Sequence, residues 1–104
     1  MRVMSLGVKE GDRRVHCIDG SLESLQKEVG GYIQPAAPVE LKIKSIEMLV
    51  NEEGLLAQLE TNVNLFPFFF VGPVVFVGVK GEDFVSLTLP QIKFLHAWLS
   101  TLEG

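Results

Sequence analysis

Three side chains in this sequence are suited to nucleophilic or metal chemistry: His16, Cys17 and His96. A thiolate beside an imidazole is the smallest apparatus for covalent catalysis. His16 and Cys17 are adjacent, however, and neighbours on an extended strand point to opposite faces, so they cannot pair with each other. His96 meets Cys17 only if the fold carries a distant helix to it. The expected roles are a packed structural thiol at Cys17 and an exposed imidazole at His96. Paired Cys/His spacings of the zinc type are absent, as is an oxygen-rich calcium loop, so no catalytic residue, metal ligand or cofactor is assigned.

The remaining polar features are weaker. Glu52-Glu53 and Glu82-Asp83 read as solvated turn tips. Gly78 and Gly81 do not fit a phosphate-cradling loop. Gly30-Gly31 offers backbone donors to an anion, although glycine at this place more often ends a helix. If a small anionic ligand is bound, Gly30, Gly31, Tyr32 and Asn62 are its expected contacts. Arg13 and Arg14 are the densest basic pair, with Arg2 or Lys9 across a hairpin. They lie on opposite sides of a strand, which suits an interaction surface or a charged edge better than a joint clamp.

Bulk properties narrow the function classes. The 104 residues carry 9 Lys+Arg against 13 Asp+Glu, a formal charge of -4, with 47% hydrophobic residues. A chain of this size buries about two-thirds of its unfolded surface, enough for one core without a staple. A single domain over residues 1–104 is expected. Scattered basic residues make nucleic acid an unlikely partner, since duplex binding needs a concentrated positive face. The single cysteine permits no internal disulfide. Met1 to Val15 has no apolar signal core, and the apolar stretch Leu65 to Val79 is broken by Pro67, Gly72, Pro73 and Gly78. A buried strand rather than a membrane span is expected there, in a cytoplasmic protein.

The elements that hold these residues follow from periodicity. Met4, Leu6 and Val8 alternate with Val3, Ser5 and Gly7, and Arg13 to Ile18 returns as the second strand of a hairpin. Ser21 caps a short helix carrying Leu22, Leu25 and Val29 on one face, ended by Gly30-Gly31. Tyr32 to Gln34 is a strand. Val39 to Val50 is extended, with a phase change near Lys44-Ser45 that implies a bulge or loop. Leu55 to Leu65 reads either as a helical turn or as a loop. Val74 to Val77 is a strand buried on both faces.

Thr88 and Gln91 have capping-box spacing, Leu87 and Ile92 form a hydrophobic staple, and Pro90 fits the first turn of a helix reaching Leu102. The fold expected is α+β: a small mixed or antiparallel sheet of about five strands, with a short helix after the second strand and a longer C-terminal helix packed on the sheet. Ile92, Phe94, Leu95, Trp98, Leu99 and Leu102 cover an arc of about 160°, wider than the roughly 100° that one sheet face needs. Phe94 and Trp98 therefore need a second cover. A symmetric homodimer and the Leu55–Phe70 segment of the same chain are the two candidates, with the dimer slightly preferred.

Several stretches resemble a family of unknown function common in phages, prophages and mobile elements. They are Ile18-Asp19-Gly20-Ser21-Leu22-Glu23-Ser24-Leu25-Gln26, Val29-Gly30-Gly31-Tyr32-Ile33, Asn51-Glu52-Glu53-Gly54, Phe76-Val77-Gly78, and Gly81 to Phe84 with Leu87-Thr88. The family often carries Pro-x-Asn-Arg after the Asn51–Gly54 turn. Here Leu59-Glu60-Thr61-Asn62-Val63 stands instead, without the proline and the arginine. The resemblance implies a phage or mobile-element origin. Together with the lack of convergent catalytic groups it leads to the expectation of a non-enzymatic accessory protein in a bacterial host's cytoplasm, acting by binding a host protein. The alternatives are a sponge for a nucleotide-like anion and, third, an enzyme of unknown type.

Overall fold

A computed structural model describes residues 1–103. The elements are β1 (Arg2–Leu6), β2 (Arg13–Cys17), α1 (Leu22–Val29), β3 (Ile33–Pro35), α2 (Val39–Lys42), β4 (Ile46–Asn51), β5 (Val74–Lys80), β6 (Asp83–Val85) and α3 (Leu89–Glu103), with a single 3-10 turn at Val63–Leu65. Every pairing is antiparallel, in the order β2-β1-β5-β4-β3. β6 continues the β1 side of β5, where Gly78 faces Val85 while Ile46 of β4 lies across from it. The Leu87 N–H donates to the Arg2 carbonyl at 2.9 Å, which joins β6 to the start of β1. The expected α+β sheet with a packed C-terminal helix is present, with six strands rather than about five.

β5 lies at the centre because its sequence fits nowhere else. Val74, Val75, Phe76 and Val77 are fully buried, and successive side chains feed opposite faces. Val74 and Phe76 join Met4, Leu6, Met48 and Val50 beneath α2, α3 and Leu65. Val75 and Val77 join Val3 and Leu49 beneath Leu25 and Val29 of α1. Leu22 was expected on that buried face and is exposed, since it sits at the helix start beyond the edge of the contact.

Local signals hold α1 and α3. Ser21 accepts from the Ser24 N–H at 3.1 Å, and Gly30 closes α1 at φ 77° with its N–H on the Gln26 carbonyl, 2.8 Å away. That left-handed conformation is what glycine accepts without a Cβ penalty. At α3 the capping box is complete: the Thr88 N–H donates to Gln91 Oε1 at 2.9 Å, and the Gln91 N–H to Thr88 Oγ1 at 3.3 Å. The Gln91 amide also donates to the carbonyls of Lys44 and Ser45, at 3.0 and 2.9 Å. One polar residue on the apolar arc thus satisfies two elements.

The stretch Val39 to Val50 differs from the extended reading. Val39–Lys42 is a helical turn, Ser45 takes a positive φ of 57°, and the strand starts at Ile46. Leu41 is buried in the core while Ile43 is exposed, an outcome that strand alternation does not produce. The phase change near Lys44-Ser45 is the join of helix and strand.

The segment between β4 and β5 is a pinned loop. Asn62 is fully buried, donating its amide to the Leu6 and Gly72 carbonyls at 3.1 and 3.0 Å and accepting from the Asn64 N–H at 3.1 Å. Asn64 donates to the carbonyls of Gly7 and Lys9 at 2.8 and 2.7 Å and accepts from the Gly11 N–H at 2.8 Å. Two neutral amides thereby satisfy the backbone of a non-repetitive loop and the β1–β2 turn, a requirement of any buried chain.

Candidate functional site

The histidines and the cysteine are not brought together. Cys17 is exposed on the outer strand β2, not packed as expected. His96 is exposed on α3, as expected, and its Nδ1 lies 3.0 Å from Arg13 Nη1. A guanidinium only donates, so this contact makes Nδ1 an acceptor and leaves the neutral ring's proton on Nε2. Arg14, on the other side of β2, lines a small cleft with Ser5, Asp12 and Glu28.

His16 has partners that its sequence neighbourhood does not reveal. Its Nε2 is 2.6 Å from Ser5 Oγ and 2.7 Å from Glu28 Oε1, and Ser5 Oγ also donates to that same carboxylate oxygen. A relay of serine, histidine and acid places the hydroxyl on one ring nitrogen and the acid on the other. Here one nitrogen serves both, and the serine proton already goes to the acid. With Nε2 donating, the imidazole is not the base toward the hydroxyl that such a relay requires. The triangle ties β1, β2 and α1 together. Ser5, between the apolar Met4 and Leu6, and Glu28, beside Leu25 and Val29 on α1, were its faint signals. Among the described residues no group of three His, Cys, Asp or Glu side chains is placed to hold a metal ion.

The ligand contacts expected for an anion are dispersed. Asn62 is sealed inside the chain with its hydrogen bonds taken. Gly30 closes α1 on the surface. Gly31 and Tyr32 border a hollow of about 380 Å3 together with Gln26, Asn51 and Glu53. A carboxylate in that hollow opposes a bound anion.

Trp98 is buried, at 8% exposure, and stacks on Phe68 with ring centroids 5.9 Å apart. It meets Phe76 edge-on at 6.4 Å. Phe94 is partly covered, with the Lys44 ammonium 5.4 Å from its ring centroid. Over Trp98 the second cover is therefore supplied by Phe68 of the chain's own Leu55–Phe70 segment, and Trp98 is not an open side chain.

The same segment turns other apolar groups outward. Leu55, Leu56 and Phe69 are 76%, 86% and 78% exposed. They border a groove of about 540 Å3 with Ala36, Val50, Phe70 and Val71, beside the short edge strand β3. Gly54 shapes its floor: a Cβ there would lie 2.8 Å from Val71 Cγ2, so the turn packs tightly only with glycine. A second, larger cleft of about 690 Å3 is bordered by Val8, Val63, Phe66 and Leu102 with Lys9, Glu10 and Glu60. No helix among the described residues is long and apolar enough to cross a membrane.

Sheet, helices and grooves together define a small antiparallel α+β domain whose β4–β5 loop exposes Leu55, Leu56, Phe66 and Phe69. The model of the Domain of unknown function (DUF3846) matches residues 1–100, and the chain belongs to that family. No curated protein and no solved structure matches it.

Proposed function

We propose that this protein is a non-enzymatic accessory protein of a phage or mobile element that acts by binding a host protein through the groove beside β3. The observation that carries this reading is the cluster of Leu55, Leu56 and Phe69, three large apolar side chains left in water around one groove. Burying such a side chain is worth about 1.5–3 kcal/mol, so the segment holds several kcal/mol in reserve for a partner. The phage origin rests on the sequence resemblance alone.

A sponge for a nucleotide-like anion has less support. Asn62 is committed to the fold, and Glu53 stands in the hollow beside Gly31 and Tyr32. A homodimer through α3 loses its motive with Trp98 stacked inside the chain. Affinity capture from the natural host with the tagged protein and its Leu56→Asp,Phe69→Asp variant tests the proposal. One stoichiometric host protein is expected with the first and none with the second. Equal recovery by both, or nothing above the untagged control, would end this reading.

A further inference from the structure

The groove and the neighbouring hollow share two residues, Asn51 and Glu53. The groove is mostly apolar, with Gln34 and Asn51 its neutral polar residues, and its only charged lining residues are Glu52 and Glu53. The hollow offers the Glu53 carboxylate and the largely exposed ring of Tyr32. No cation lines either space among the described residues. The backbone that carries these groups is fixed. The Glu52 N–H donates to the Tyr32 carbonyl at 2.8 Å, the Glu53 N–H to Asn51 Oδ1 at 2.8 Å, and the Asn51 amide to the Val29 carbonyl at 3.2 Å.

We infer that groove and hollow are two halves of one docking site, for a partner segment that sets a lysine or arginine beside large apolar side chains. The apolar side chains fill the groove against Leu55, Leu56 and Phe69. The cation enters the hollow, where a carboxylate and an aromatic face are the two groups that attract it. Volumes of about 540 and 380 Å3 suit a few side chains each. Opposite charge at this position selects the partner and fixes its register, while the apolar half supplies most of the affinity. This inference rests on the partner-binding reading and adds the partner's chemistry.

A random peptide library displayed on phage, selected on the immobilised protein and counter-selected on Leu56→Asp, tests it. Enriched peptides are expected to carry Lys or Arg next to aromatic or branched apolar residues. In fluorescence anisotropy an enriched peptide should bind Glu53→Gln about tenfold more weakly and Leu56→Asp not detectably. Phe69→Ser, with circular dichroism on every variant, guards against a misfolded Leu56 mutant. Binding that needs Leu56 and Phe69 but is unchanged in Glu53→Gln, or peptides without a cation, would overturn the inference and leave partner binding standing. Failure of both the selection and the host capture would remove both. Light scattering that shows a dimer dispersed by Leu56→Asp would place a second copy in the groove and also overturn it.

Discussion

The two faces of the sheet are closed in different ways. One is covered by α2, α3 and the Leu55–Phe70 segment over a continuous apolar layer from Met4 to Trp98. The other is covered by α1 alone, over a smaller layer of Val3, Leu49, Val75 and Val77 with Leu25 and Val29. Where that short helix runs out, the polar triangle of Ser5, His16 and Glu28 takes over. Spare apolar surface is concentrated beside the first face, because the loop that covers Trp98 turns only part of its apolar side chains inward. A domain can thus supply its own second cover and leave the remainder for a partner.

The largest expected effect separates the two layers. Phe76→Ala should cost about 3–5 kcal/mol, and Leu25→Ala nearer the lower end of the range for leucine, about 2 kcal/mol. Urea denaturation of both variants decides it, and a Leu25 cost equal to that of Phe76 would erase the inequality between the faces. Next in size is the pin of the covering loop. Asn62→Ala leaves the Leu6 and Gly72 carbonyls without that amide, so a loss of about 2–3 kcal/mol and a fall in Tm of about 10 °C or more are expected. Tryptophan fluorescence on the same variant should report a wetter Trp98. Unaltered emission would mean the loop stays in place without its pin.

On the other face, His16→Ala should cost only about 1 kcal/mol, because the triangle is partly solvated and leaves Ser5 and Glu28 bonded to each other. Glu28→Gln should cost a similar amount. If His16→Ala instead costs as much as Asn62→Ala, the triangle holds α1 more than its packing does. Outward groups of the loop behave differently again. Leu56→Asp should change stability by no more than about 0.5 kcal/mol while abolishing capture of the host protein. A large loss of stability would show that Leu56 serves the fold instead.

The smallest effect lies at the entry to α1. Hydrogen bonds from the Ser21 side chain, then from its backbone N–H and the Ser24 side chain, hold the Asp19 carboxyl below its ordinary value of 3.8. A carboxyl lowered on folding stabilises the native state above that ordinary value, and its contribution fades as the pH falls through the lower folded value. Asp19→Asn should therefore flatten slightly the acid limb of the stability curve below the ordinary value and leave its slope at neutral pH unchanged. A slope change near neutrality would point to another group.

Short-range chemistry was legible in the sequence. The Thr88–Gln91 box, the Ser21 cap, the Gly30 terminus and the buried run of β5 all stand where the residues predict. Each depends on groups within a few positions of one another, or on a periodicity that one element expresses alone. What escaped depends on distant chain segments. The turn of α2 sets Leu41 in the core, a burial that the alternation of Val39 to Val50 does not reveal. Ser5, His16 and Glu28 meet across three elements, Asn62 becomes a pin of the covering loop, and Cys17 ends outside.

Periodicity and capping alone mark β1, β2, α1, β5 and α3 and the need for a second cover over α3, but not α2 or β6. Tertiary structure alone decided what that cover is, and hence which apolar side chains are left for a partner. The reason is that burial is a property of packed surfaces. Phe68 and Phe69 are neighbours of one residue type, yet one stacks on Trp98 and the other stands in water.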